Sequence, residues 1–156
     1  PVVTMGDIIR EETAARGLDP SEHHGEVARA LRDEEGDDAV ARRALPVIKD
    51  RLEDNGTVLV DGIRSDVEVD VFEDEFGDDF TLVSIEAPFE QRLERLDLRG
   101  RDNPETESLH ERDARELGFG MGDAMHRADI SIVNDGSLSS FRERFKSLLT
   151  EGENAI

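Results

Sequence analysis

Four short apolar runs rich in β-branched residues, Pro1–Met5, Thr57–Val60, Phe80–Ile85 and Asp129–Val133, alternate with intervals of helical periodicity. "TVLVDG" and "FTLVSIEA", each bounded by turn signals, have the pattern of strands covered on both faces. Strands alternating with helices imply a parallel sheet with right-handed crossovers. The expected class is therefore α/β.

Helix starts are written locally. Asp19-Pro20-Ser21-Glu22 has the form of a capping box with proline at the first helical position. Ser65 and Glu68 repeat the box ahead of Val69 and Phe72. Pro88 opens a helix whose Phe89, Leu93 and Leu96 share a face, and Leu138, Phe141, Phe145 and Leu148 form the stripe of the last one. Two intervals break the alternation. Residues 17–55 read as a helical insert, with Pro46 as a kink or boundary. Residues 99–126 are polar, Arg- and Glu-rich and punctuated by "GFGMG", a lid-like segment. The expected organisation is one domain over residues 1–150 and a frayed tail over 151–156.

Charge sets the next limits. The 156 residues carry 39 acids against 19 bases, a formal net charge of −20, and only Lys49 and Lys146 are lysines. Such a surface repels itself in dilute salt, and the repulsion is relieved as the Debye length falls from ~10 Å at 0.1 M to ~3 Å at 1 M. A salt-loving source is the expectation. Nucleic acid is disfavoured as a partner, because binding to it draws on a basic surface. With no cysteine, disulfides and thiolate metal sites are excluded. No apolar run approaches a membrane span or signal peptide, so the expected location is the cytoplasm. Oligomeric state is left open.

Ligands of open α/β sheets collect outside the carboxyl ends of the strands. The first run ends in Gly6-Asp7, with Arg10 one turn on; the second ends in Asp61-Gly62-Ile63-Arg64. The helix after the third run ends in Arg99 and Arg101, and "HERDARE" puts Arg112 and Arg115 on one helix face. Guanidinium pairs bidentately with phosphate, so arginines directed to one rim of an acidic protein point to a phosphate ligand. Asp7 could equally be a simple N-cap, and Arg112 and Arg115 could pair with Glu111 and Glu116. Asp61 is expected at a buried strand end, where an isolated carboxylate is costly without a cation; ordering a Mg²⁺-bound water is its expected role. His23, His24, His110 and His126 lack zinc spacing, and "DEEGDD" and "EDEFGDD" do not fit a calcium loop.

These residues resemble a known family. "VVTMGDIIR" resembles the strand-turn-helix of adenylate-kinase-like enzymes, "VLVDGIR" is similar to their second acidic strand end, and "ADISIVNDGSL" resembles the end of dephospho-CoA kinases. Over nearly its whole length the chain most closely resembles an uncharacterised archaeal family of P-loop kinase-like proteins grouped beside dephospho-CoA kinase. The resemblance implies a three-layer α/β/α fold, ATP and Mg²⁺ as cofactors, and in-line transfer of the γ-phosphoryl to a nucleotide or dephospho-CoA-like acceptor. It implies that Arg10 and Arg64 hold the acceptor's phosphate, that Asp7 takes the proton of its hydroxyl, and that Asp61 stands near Mg²⁺. Arg99, Arg101, Arg112 and Arg115 would close over the ATP phosphates, and Asn134 and Gly136 would pass the base. "DGIR" lacks the proline of the adenylate kinase pattern, which argues against AMP as the acceptor.

Enzymes of that class open with a strand, G-x-x-x-x-G-K-[ST] and a helix. None of the thirteen glycines here stands in that motif, so Pro1 is expected to be an internal residue of a longer protein. In the class's strand order, 2-3-1-4-5, the missing strand is the central one, leaving the inner edges of "TVLVDG" and "FTLVSI" unpaired. The chain is then expected to close that gap directly, to pair with another chain, or to have been cut from a complete protein, and by itself not to turn over ATP. The alternative function is a non-catalytic nucleotide-binding or partner-binding module.

Overall fold

A computed structural model describes residues 1–99 and 109–151, with side chains described for 1–95 and 109–150. The chain divides into two compact units, residues 1–80 with 119–124, and residues 81–118 with 125–156.

The first unit runs β1 (Val2–Thr4), α1 (Met5–Ala15), α2 (Pro20–Glu35), α3 (Ala39–Asp54), β2 (Leu59–Asp61) and α4 (Asp66–Phe76), followed by a 3₁₀ turn over Gly77–Asp79. β1 and β2 are parallel, with Val2 opposite Leu59, Val3 opposite Val60 and Thr4 opposite Asp61. Both expected helix starts are present. Pro20 is the first residue of α2, and the Asp19 carboxylate accepts from the Ser21 N–H at 2.8 Å. Ser65 Oγ accepts from the Glu68 N–H at 3.2 Å. Small residues let α3 come close: Ala39, Ala41 and Ala44 are wholly buried, and Ala41 and Ala44 pack with Val3, Met5, Ile8, Ile48 and Phe72. Pro46 lies inside α3, which runs eight residues beyond it, so of the two expected roles, kink or boundary, it is not the boundary. Buried Val40, Ala44 and Ile48 pack on both sides of it and hold the helix together where one backbone hydrogen bond is lost.

The ends of α1, α2 and α3 are tied by alternating charges. Arg16 joins Glu12 at 2.8 Å and Glu34 at 2.9 Å, while Arg43 joins Glu12 at 2.6 Å and also Glu35. Hydrogen bonds from Arg16 and then Arg43 hold the Glu12 carboxyl below its ordinary range, and Arg43 does the same for Glu35. A carboxylate with a depressed folded pKa stabilises the fold above its unfolded pKa, and that contribution disappears as the pH falls through the folded value. Glu12→Gln should therefore lower the melting temperature near neutrality by about 2–4 °C and flatten its decline below about pH 4.5. Thermal melts of both proteins followed by circular dichroism from pH 3 to 7 measure this; parallel curves would dismiss the network as a stabiliser.

The second unit contains β3 (Val83–Glu86), α5 (Phe89–Arg99), α6 (Leu109–Gly118), β4 (Ile130–Val133) and α8 (Leu138–Glu151); a short α7 (Met121–His126) spans the division between units. β3 and β4 are parallel, with Ser84 opposite Ser131 and their hydroxyls 2.7 Å apart. The described strands thus form two separate pairs, β1-β2 and β3-β4, and these are neighbour pairs of the order expected from the resemblance.

Cover on both faces, expected for the second and third strands, is not found. Ile85 is 50% exposed, and so is much of Val133 beside it. A two-stranded sheet has too little surface for helices to enclose, and alternate residues stay in contact with solvent. Leu138 also departs from its expected stripe: it is exposed at the first position of α8, while Leu148 is buried.

Candidate functional site

The parallel pairing of β1 with β2 determines which side chains share an end of the first unit. Thr4 and Asp61 are register partners, so the segments leaving both strands, Met5-Gly6-Asp7 and Gly62-Ile63-Arg64, depart from the same edge. Gly62 turns the chain at φ +95°, a left-handed value that a side chain would strain.

α1 begins immediately after β1, with Thr4 in the N-cap position. Asp7 is consequently the third residue of the helix and not its cap. Its carboxylate accepts from Arg10 Nε at 3.0 Å and from a second nitrogen of the same guanidinium. Side chains on a helix lean towards its N-terminus, and Arg10 does so: its Nη1 would lie 3.3 Å from a Cβ built on Gly6. The Arg10 charge is thereby carried back to the end of β1. Both members of the pair are half exposed, which leaves them open to a ligand.

Asp61 and Arg64 are also exposed. This corrects the expectation that Asp61 ends a buried strand: the end of a two-stranded sheet is open, and water solvates the carboxylate. The Asp61 side chain has no hydrogen-bond or ion-pair partner among the described residues. Just beyond, Glu68 is 2% exposed, and its carboxylate accepts from the Arg64 N–H at 2.8 Å. Burial pushes the Glu68 carboxyl above its ordinary value, against the Arg64 N–H and the charge of Arg32.

In the second unit, the loop after β4 is gripped by α5. Arg95 donates to the carbonyls of Asn134 at 3.1 Å and Gly136 at 3.2 Å, and Gln91 donates to that of Asp135 at 2.9 Å. The Asn134 N–H donates to Glu86 O at 2.7 Å. Asn134 and Gly136 thus lie on one shaped loop. Arg92 makes a two-pronged contact with Asp113, at 2.6 and 2.7 Å, which joins α5 to α6 and holds the Asp113 carboxyl low. Arg112 and Arg115 lie on α6, where Arg115 meets Glu116 at 3.3 Å, the pairing considered as the plainer alternative. Arg99 is the last residue of α5, while Arg101 and the 152–156 part of the tail lie outside the described residues.

The expected residues therefore fall into two groups. Asp7, Arg10, Asp61 and Arg64 share one strand-end edge in the first unit; Arg112, Arg115, Asn134 and Gly136 belong to the second. Sequence reasoning missed Gln91 and Arg95, whose signal was a polar pair one helical turn apart on α5, and missed the burial of Glu68.

Comparison with known proteins places this geometry in a lineage. Residues 1–110 match a family model described as an AAA domain. UPF0200 proteins from two strains of Halobacterium salinarum, R1 and NRC-1, are 54% identical over 150 residues, covering 96% of this chain and 79% of their own length. The UPF0200/UPF0201 protein of Archaeoglobus fulgidus is 48% identical over 152 residues, covering 96% of this chain and 47% of its own length. A UPF0200 protein of Methanothrix thermoacetophila is 46% identical, and the match covers 83% of it.

Proposed function

This chain belongs to the UPF0200 family of archaeal proteins and matches the AAA domain family, and on that premise we propose that its strand-end edge is the acceptor side of a nucleotide-dependent phosphotransferase. The observation that carries this reading is the Thr4–Asp61 register, which brings two carboxylates and two guanidiniums to the carboxyl ends of adjacent parallel strands.

The side chains suit the chemistry. Arg10 and Arg64 are exposed cations that pair with an acceptor phosphate or similar anion. Asp7, in contact with Arg10, is the carboxylate on this edge assigned to take the proton of an acceptor hydroxyl. Asp61 is a solvated carboxylate with no partner among the described residues, the donor type that holds Mg²⁺ through water. Among the described residues there is no group of three or more His, Cys, Asp or Glu that could cage a metal. Bound Mg·ATP supplies the phosphoryl group and charge neutralisation. In the second unit taken by itself, Arg112 and Arg115 on α6 are cations of the kind that pair with phosphate, and the loop held by Arg95 carries Asn134 and Gly136, assigned to a base.

The alternative reading is nucleotide binding without turnover. One experiment separates the two. The full-length protein, with whatever its reading frame encodes upstream, is titrated with Mg·ATP in molar KCl and assayed for transfer of labelled γ-phosphate to nucleoside monophosphates and dephospho-CoA. Mg²⁺-dependent transfer supports the phosphotransferase. Binding without transfer to any acceptor supports the module. Failure to bind any nucleoside triphosphate would overturn both.

A further inference from the structure

The most deeply buried carboxylate in the first unit belongs to a residue that the proposed chemistry does not use. Glu68, at the third position of α4, is 2% exposed, yet its side chain points away from the apolar core and back along the helix to the turn that follows β2. There Oε2 accepts from the Arg64 N–H at 2.8 Å, and the Ser65 N–H faces the same carboxylate. The Glu68 N–H donates to Ser65 Oγ at 3.2 Å, so side chain and backbone lock the same three residues reciprocally. A capping interaction of this kind normally lies at the surface. Here a charge is buried to make it, which is costly unless the charge is balanced.

Arg32 supplies the balance from another helix. Its Nη2 is 3.7 Å from Glu68 Oε1, while Nη1 donates to Ala28 O at 3.3 Å. Its guanidinium lies 5.5 Å from the centre of the Phe119 ring. The next residue, Gly120, has φ +90°, and a Cβ there would lie 2.3 Å from Asp66 Oδ1. Only glycine lets the backbone pass that close to the first turn of α4. α2, the turn at Ile63–Ser65 and the "FG" step at 119–120 thus meet around one buried ion pair.

We propose that Glu68 is a positioning residue: with Arg32 as its counter-charge, it clamps the Arg64 backbone and fixes where the Arg64 guanidinium leaves the β2 edge to meet an anionic ligand. This rests on the reading of Arg64 as a phosphate-binding residue. Arg64 follows a glycine turn, so without the clamp its side chain would sweep a wide arc, and the ordering cost would fall on each binding event.

The test has two arms, read on the full-length protein. The first is hydrogen exchange at the Arg64 amide, followed by NMR; the second is the affinity for inorganic phosphate. Glu68→Met keeps the volume but removes the acceptor, and Glu68→Asp keeps the charge beside Arg32 but shortens the reach, so at least one disrupted variant folds. Both should speed Arg64 exchange about tenfold or more and weaken phosphate binding about tenfold. Glu68→Gln keeps an acceptor oxygen and should restore most of both. Val69→Ala, at a buried neighbour on the same helix, controls for general loosening and should move neither arm as far. If Arg64 exchange in the Asp variant matches that in Val69→Ala, or if Gln rescues nothing, Glu68 is merely structural. Should the unaltered protein fail to bind phosphate, the role of Arg64 falls, while the exchange arm still decides whether Glu68 clamps the turn.

Discussion

Asp61→Asn is expected to reduce phosphoryl transfer by about 100-fold or more while leaving the melting temperature almost unchanged. The two halves of this expectation come from the same observation. Asp61 is exposed, and its side chain makes no contact with a partner among the described residues, so the fold loses nothing when the charge goes. In a chain of net charge −20, removing one negative charge slightly relieves the self-repulsion. Catalysis is different. An amide keeps the size and one acceptor oxygen, but on the proposed reading it loses the charge that would hold a hard, strongly hydrated cation in place. Arg10→Ala tests the other side of the edge. It should raise the acceptor KM with a smaller change in kcat, because Arg10 is assigned to binding. If Asp61→Asn and Arg10→Ala both turn over like the unaltered protein, the catalytic edge lies elsewhere in the molecule.

What could be read in the sequence was what short-range chemistry controls. The strands at 2–4, 59–61, 83–86 and 130–133 lie within or beside the β-branched runs, because alternation and turn residues act over a few positions. Ser65 and Glu68, three apart, announce a helix start wherever they occur, and so do Asp19 and Pro20. The strand-end edge could be inferred too, since parallel pairing of the first two runs leaves Asp7 and Asp61 little choice of end. Exposure could not be read. Whether Asp61 is buried depends on how many strands flank its own, which no local pattern encodes. Pro46 left two readings open, kink or boundary, and the choice depends on tertiary packing that outweighs a single lost hydrogen bond. Glu12 meets Arg43 across 31 positions and Arg95 grips a carbonyl 39 positions away, partnerships that have no period in the sequence. Glu68 is the instructive case. Its spacing correctly gave a cap, but burial turned a cap into a buried ion pair, and only the approach of Arg32 from α2 reveals that.

Phe72→Ala is the substitution that should damage the first unit most. Phe72 is 1% exposed and heads the largest fully buried side chains; its ring lies 5.9 Å from that of Phe80. It also belongs to the cluster containing Val3 and Met5, the residues that carry β1 into α1. Truncation removes buried area and leaves a cavity that Ala41 and Ala44, already methyl-sized, cannot fill, so the expected cost is ~3–5 kcal/mol. That is a large share of the 5–15 kcal/mol typical of a folded domain and corresponds to a fall in melting temperature on the order of 10 °C. The chain has no tryptophan or tyrosine, so the measurement is far-ultraviolet circular dichroism rather than intrinsic fluorescence. Leu149→Ala, at a residue 58% exposed on α8, is the control and should fall within about 0.5 kcal/mol of the unaltered protein. Because Phe72 supports β1 and α4 from below, the variant should also loosen the Arg10 and Arg64 edges and weaken phosphate binding well below its midpoint. Melting temperatures for Phe72→Ala and Leu149→Ala that coincide would mean that the α4 stripe does not hold this unit together.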